Sequence, residues 1–252
     1  MSWADKRRIL VLSVIAGTLA LVIVGMFFAL FYAPPSCRDK KQNGDETGID
    51  CGGACAYLCT AEVREPVVRF VRPFSPSPGR TDIIAYIDNP NTAAAIKAVP
   101  YTLEMYTKSN RLIVEKEGTL ELPSGASVPL YLPNVYVGAA DIGSAFLTLA
   151  TSSKWYAHDD ARIVPRYNFD AQVTGDAAPR ITATLTNPSA YVLRDVLVVA
   201  TVFDAGGNAV AASQTVIPVI APQGIASASF TWNAPFSAPP ARIDVVPVIP
   251  LP

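Results

Sequence analysis

The pattern of hydrophobic and polar positions divides the chain into three stretches. Ile9 to Tyr32 reads ILVLSVIAGTLALVIVGMFFALFY and carries no charge. As a helix this block would measure about 36 Å at 1.5 Å per residue, against a hydrocarbon core of about 30 Å, so it predicts a transmembrane span. A cleaved signal peptide would instead show an apolar region of about 7 to 15 residues ending in a small-x-small site, and neither is present. Trp3 and Tyr32 are placed to sit at the two membrane interfaces.

After a polar, turn-rich stretch, strict alternation takes over. Ile181, Ala183 and Leu185 alternate with Thr182, Thr184 and Thr186, and Leu103 and Met105 with Thr102, Glu104 and Tyr106. A period of two predicts half-buried strands. Further short runs cover Ser127–Leu132, Ala145–Thr151, Val196–Phe203, Ser227–Trp232 and Arg242–Val246. Ser109-Asn110, Ser124-Gly125, Gly206-Gly207-Asn208 and Gln223-Gly224 mark turns between runs. Aligned on itself, the chain sets Asp82–Glu117 against Arg180–Gln214, and Asn89-Pro90 falls on Asn187-Pro188, 98 positions later. That period is one whole domain rather than a solenoid unit. The expected fold class is mainly β: a transmembrane helix, a small disulfide-rich segment and two tandem immunoglobulin- or fibronectin-like sandwiches. The expected divisions are a tail at 1–8, the span at 9–32, a stalk at 33–60, and sandwiches at 61–163 and 164–252.

Composition narrows the partners. A formal charge of −1 supplies no basic field for phosphate backbones, so no nucleic-acid partner is expected. The 22 prolines disfavour long helices beyond the anchor and suit loops and strand edges. Basic residues do not orient the span, because Lys6, Arg7 and Arg8 are matched by Arg38, Lys40 and Lys41. All four cysteines follow the span, where an oxidising compartment would let them pair. The expected localisation is therefore the cell membrane, single-pass, with a cytoplasmic N-terminus and everything after Ala33 outside.

The stalk reads CRDKKQNGDETGIDCGGACAYLC over residues 37–59 and is too short to fold without a staple. Cys37, Cys51, Cys55 and Cys59 are expected to form two disulfides, with three connectivities open. Asp39, Asn43, Asp45, Glu46 and Asp50 set hard oxygen ligands around a glycine turn, as Ca²⁺ requires. The same residues are also ordinary turn formers whose side chains bond nearby backbone. A zinc site is the weaker reading of the thiols, since paired C-x₂-C knuckles are missing.

Three resemblances attach to these residues. The stalk resembles a cysteine motif of microbial surface proteins, C-x-D-x-x-x-N-G-D-E-T-x-x-D-C-G-G-x-C, matched here from Cys37 to Cys55 with Cys59 following. The second repeat carries Asn187-Pro188-Ser189, Val202-Phe203-Asp204, Gly207-Asn208-Ala209-Val210 and Pro222-Gln223-Gly224 ahead of Phe230, a pattern similar to bacterial FxLyD-type domains. The first repeat, with Asp88-Asn89-Pro90-Asn91 and Tyr101–Tyr106, resembles the related late-embryogenesis-abundant-like water-stress sandwiches. The two domain resemblances imply an immunoglobulin- or fibronectin-like fold and no catalytic residues.

Catalytic chemistry finds little to work with. His158 is the single histidine, which excludes multi-histidine metal sites, and its neighbours Asp159 and Asp160 come without a G-x-S-x-G elbow. No phosphate-cradling glycine loop occurs. Trp155, Tyr156 and Tyr167 near the domain junction form either a binding patch or packing between the repeats. The expected function is a membrane-anchored, extracytoplasmic structural or interaction protein that presents its sandwiches to a protein or envelope polymer. The rival expectation is an accessory subunit of a membrane secretion, pilus or enzyme assembly.

Overall fold

A computed structural model describes residues 3–32, 34–150, 154–157, 167–174 and 177–251, with only the backbone described at 167–173. Helix α1 spans Trp3–Phe31, and none of its residues is buried. It is long and apolar enough to cross a membrane. Its alanine, leucine and methionine residues favour a helix, and the proline pair at 34–35 follows its end.

The rest is built from strands. In chain order these are β1 Val67–Ser77, β2 Arg80–Asp88, β3 Ala94–Thr107, β4 Leu112–Leu122, β5 Ser127–Val137, β6 Ile142–Leu149 and β7 Tyr156–Ala157. There follow β8 Tyr167–Thr174, β9 Arg180–Thr186, β10 Leu193–Phe203, β11 Ala209–Ile220, β12 Ile225–Thr231 and β13 Arg242–Val248. Among the described residues four sheets result, with orders β1-β2-β5, β4-β3-β6, β12-β9-β8 and β11-β10-β13, and β7 pairs separately with β3. Pairing is antiparallel in all four.

The sheets pack face to face around three apolar interlayers. Ile83, Ala85 and Ile87 of β2 meet Val99, Leu103 and Met105 of β3 in the first core. Ile181, Ala183 and Leu185 of β9 meet Val196, Val198, Ala200 and Val202 of β10 in another. Between these cores lies a third layer, in which Ile84 and Tyr86 of β2 meet Val199 and Phe203 of β10. The sheets thus form a four-layer stack, with β2 and β10 in its two inner sheets.

β9 and residues 101–107 of β3 alternate as the sequence predicts, buried on one face, whereas β2 and β10 are covered on both. β2 and β10 use both faces, and each reads as an almost unbroken apolar run rather than an alternation, which is the signature of a strand covered on both sides. Tyr86 donates its hydroxyl to Thr201 Oγ1 at 3.1 Å, so this buried polar pair is satisfied. At the rim Arg72 donates to Asn208 at 3.0 Å, and the Leu251 amide donates to Glu121 at 2.7 Å.

Candidate functional site

The stalk folds into a knob. Cys37 pairs with Cys55 and Cys51 with Cys59, so of the three connectivities the crossed one is adopted. Gly53 has φ +57°, and a Cβ there would lie 1.6 Å from the Asp45 carbonyl oxygen, so the chain can close on itself only over a glycine. The last cysteine is fastened by Glu62, whose carboxylate accepts from the Cys59 amide at 2.9 Å and from Thr47 Oγ1 at 2.7 Å. Those two donors, Thr47 foremost, hold the Glu62 carboxyl below the ordinary glutamate value.

Three carboxylates of the knob accept hydrogen bonds within it, while Asn43 Oδ1 is buried without a partner. Asp39 accepts from Asn43 Nδ2 at 2.8 Å and from the Lys41 amide at 2.9 Å, and the Asn43 bond in particular lowers its pKa. Asp50 accepts from the Lys40 amide through both oxygens at 3.1 Å. Glu46 accepts from the amides of Asn43 and Asp50 at 3.3 Å. Asp45 is exposed and supplies the carbonyl under Gly53. These are the bonds that turn residues make. Among the described residues, the trio whose ligand atoms converge is Cys37, Glu46 and Cys55. The two sulfurs are bonded to each other, which leaves Glu46 as the lone ligand there.

The knob is joined to the sheets by an added strand. Leu58 donates its amide to Trp155 O at 3.0 Å and Ala157 donates to Ala56 O at 3.3 Å. Tyr57 bridges to Tyr156, and β7 in turn pairs with Ala94 and Ala95 at the start of β3. The rings of Tyr57 and Tyr156 lie 5.1 Å apart, with Lys154 over the first at 5.1 Å and Lys97 over the second at 5.5 Å. A hydrogen bond with Tyr57 holds the Tyr156 phenol above the ordinary tyrosine value. A second clamp forms where Arg64 N donates to Asn91 Oδ1 at 2.8 Å and Asn91 Nδ2 returns to Arg64 O at 2.7 Å.

The predicted aromatic trio is therefore split. Trp155 is only 4% exposed and belongs to the first core, so its ring is packing and not a binding surface. Tyr156 finds its partner in the knob. Tyr167 starts β8, and its side chain lies outside the described residues, as do His158, Asp159 and Asp160.

No family model matches the chain, and no curated protein does. Among solved structures, red sea bream transglutaminase is similar at 15% identity and a TM-score of 0.24, over 73% of this chain and 29% of that one. The exo-chitosanase CsxA of Amycolatopsis orientalis is similar at 13% identity and a TM-score of 0.18, over 71% of this chain and 26% of that one. The chain spans under a third of the length of either protein, and likenesses this slight carry no argument.

Two features escaped the sequence reading. Glu62 and Asn91, which clamp the knob, lie outside the cysteine motif, and nothing local marks them as partners of residues 15 and 27 positions away. Asp82 is fully buried, accepting from Arg80 Nε and Nη2 at 2.8 Å, from the Asn134 amide at 2.9 Å and from the Tyr131 hydroxyl. Burial, with Asp82 adding to it, pushes the Tyr131 phenol up, and the same carboxylate raises Arg80. With its lone pairs taken, Asp82 secures the irregular register between β2 and β5 and offers no open group.

Proposed function

We propose that this chain is a single-pass membrane protein that holds two copies of one immunoglobulin-like sandwich at the outer surface of the membrane, as a structural or interaction module. One observation carries the reading: a wholly exposed apolar helix leads directly into a disulfide-stapled knob that is welded to the sheets. Such a joint would turn an anchor into a fixed mount rather than a loose tether. Disulfides persist in oxidising compartments, which favours a cytoplasmic N-terminus and external sheets.

Duplication of the sandwich is supported by topology. Adding seven to each label converts β1-β2-β5 and β4-β3-β6 into β8-β9-β12 and β11-β10-β13. It is supported again by chemistry at the 98-residue offset. Asn89 Nδ2 donates to Leu122 O and Pro123 O, and Asn187 Nδ2 to Ile220 O and Ala221 O. The resemblance to FxLyD-type and water-stress domains fits the same plan, and the ligand presented to would be a protein or an envelope polymer. In the rival reading, an accessory subunit of a membrane assembly, α1 would pack on partner helices, since among the described residues none covers it.

Impermeant protease added to intact cells or spheroplasts should digest the chain from Cys37 onward and leave a short protected stub. Protection of the sheets would overturn the external assignment. Co-purification of a stoichiometric partner that depends on α1 would favour the subunit reading.

A further inference from the structure

The middle layer joins unlike sheets. β2 of the first half lies against β10 of the second, and the first-half counterpart of β10 is β3, in the sheet β4-β3-β6. A contact between unlike surfaces of a repeated unit does not close on itself, so a copy of each surface stays unused at the two ends of the stack. Here these are the outer faces of β4-β3-β6 and β12-β9-β8. The knob docks at the start of β3 and at Asn91, at strand ends, and leaves both faces open. Core positions fix which residues correspond. Setting Leu103 and Met105 on Ala200 and Val202 places Thr102, Glu104 and Tyr106 where Val199, Thr201 and Phe203 stand. Setting Ile83 and Ala85 on Ile181 and Ala183 places Thr182 and Thr184 where Ile84 and Tyr86 stand. In the middle layer the Tyr86 hydroxyl donates to Thr201. The same stacking between two molecules would bring Thr184 of one to Glu104 of the other, a hydroxyl donor to a carboxylate acceptor.

The two open faces complement each other beyond that pair. On the first, Glu104 stands opposite Glu115 and Thr102 opposite Glu117, while Lys116, opposite Leu103, belongs to the other side of the sheet. Like charges set directly across neighbouring strands destabilise each other. None of these three glutamates is in an ion pair among the described residues. Beside them Tyr106 and Phe146 lie edge to face at 6.0 Å, and Phe146 is 56% exposed. The second face has the reverse character. Thr182, Thr184, Ser227, Ser229 and Thr231 present hydroxyls, Arg180 stands opposite Thr231, and among the described residues of these rows there is no carboxylate.

We propose that the chain stacks head to tail with further copies of itself, the β12-β9-β8 face of one molecule seated on the β4-β3-β6 face of the next. This rests on the reading of the chain as an anchored, duplicated sandwich. Hydroxyl and carboxylate faces withdraw less apolar surface from water than the middle layer does, so the contact is weak between free molecules. It gains from α1, which confines the copies to one membrane and raises their effective concentration. Because the contact is heterologous, it builds a row that grows at either end rather than a symmetric pair.

The test uses the full chain in phosphatidylcholine–phosphatidylglycerol vesicles and a short, membrane-permeant bis-maleimide, to which the native cysteines are inert because all are disulfide-bonded. Thr102→Cys and Thr182→Cys, mixed as two single variants, should link into dimers, and a chain carrying both into a ladder of trimers and longer. Each single variant by itself should link several-fold less, and adding Glu104→Lys should reduce the linking several-fold. Two controls run alongside. Arg72→Cys/Asn208→Cys, at side chains that touch at 3.0 Å, reads the internal stack as a cross-linked monomer, and flotation of the vesicles reads insertion of α1. If the chain floats and the internal pair links while 102 and 182 do not, the proposal falls and the anchored, stacked chain stands. Equal linking within one single variant would mean that like faces meet, which also overturns it. Failure of the internal pair or of flotation removes the stacked or the anchored reading, and the proposal with it.

Discussion

Asn89 and Asn187 show how much one buried amide can hold. Asn187 is fully buried and Asn89 is 3% exposed. Each also uses its side-chain oxygen, accepting from the amide two residues on, Asn91 or Ser189. Replacing either by alanine strands several buried carbonyls, so each variant should lose about 2 to 3 kcal/mol in urea unfolding. A surface asparagine such as Asn233 should lose little when replaced. If Asn89→Ala and Asn187→Ala prove as mild as Asn233→Ala, the carbonyls have found other donors. The Asn-Pro pairs were legible as the marks that align the repeats. Their burial was not, because an Asn-Pro dipeptide reads as an exposed turn until the loops it bonds are brought to it.

The knob and β7 carry the lesson at the scale of elements. Turn chemistry and cysteine count announced a stapled segment, but a length of chain with glycines at 52 and 53 does not reveal which sulfurs meet. Closing the 8-residue separation between Cys51 and Cys59 stabilises the oxidised knob by about 2 to 3 kcal/mol in the loop-entropy account. The Cys51→Ser/Cys59→Ser variant should therefore be cut within residues 37–59 by protease while the sheets stay intact, since their cores contain none of these bonds. Loss of cooperative sheet unfolding in that variant would show that the joint at Tyr57 and Tyr156 supports the sheets as well as the knob.

The middle layer joins the sheet of β2 to the sheet of β10. Tyr86 sits in it, and burial, outweighing its bond to Thr201, pushes its phenol up to about 12 from an ordinary 10.0. The folded state therefore prefers the neutral phenol: this share of stability is intact below pH 10 and drains away as pH rises toward 12. Tyr86→Phe should cost about 1 kcal/mol at neutral pH and yet shift the alkaline unfolding midpoint upward, as followed by circular dichroism. Separation of the halves at about residue 163 should expose Ile84, Val199 and Phe203. The halves should then re-associate when mixed and elute together in gel filtration. Independent, non-interacting halves would mean that the middle layer contributes little.

The sequence by itself determined what depends on short range. An uncharged run of sufficient length makes a membrane-compatible helix, and period-two alternation makes strands. Those properties follow from local backbone preference and the hydrophobicity of neighbours. The tertiary structure alone decided the sulfur pairing, the clamps from Glu62 and Asn91, the burial of Trp155, and the stacking of β2 on β10. Each joins residues far apart in the chain, where solvent exclusion and shape set the partner, and the second face of a strand is apolar for a reason that exists only once another sheet lies against it.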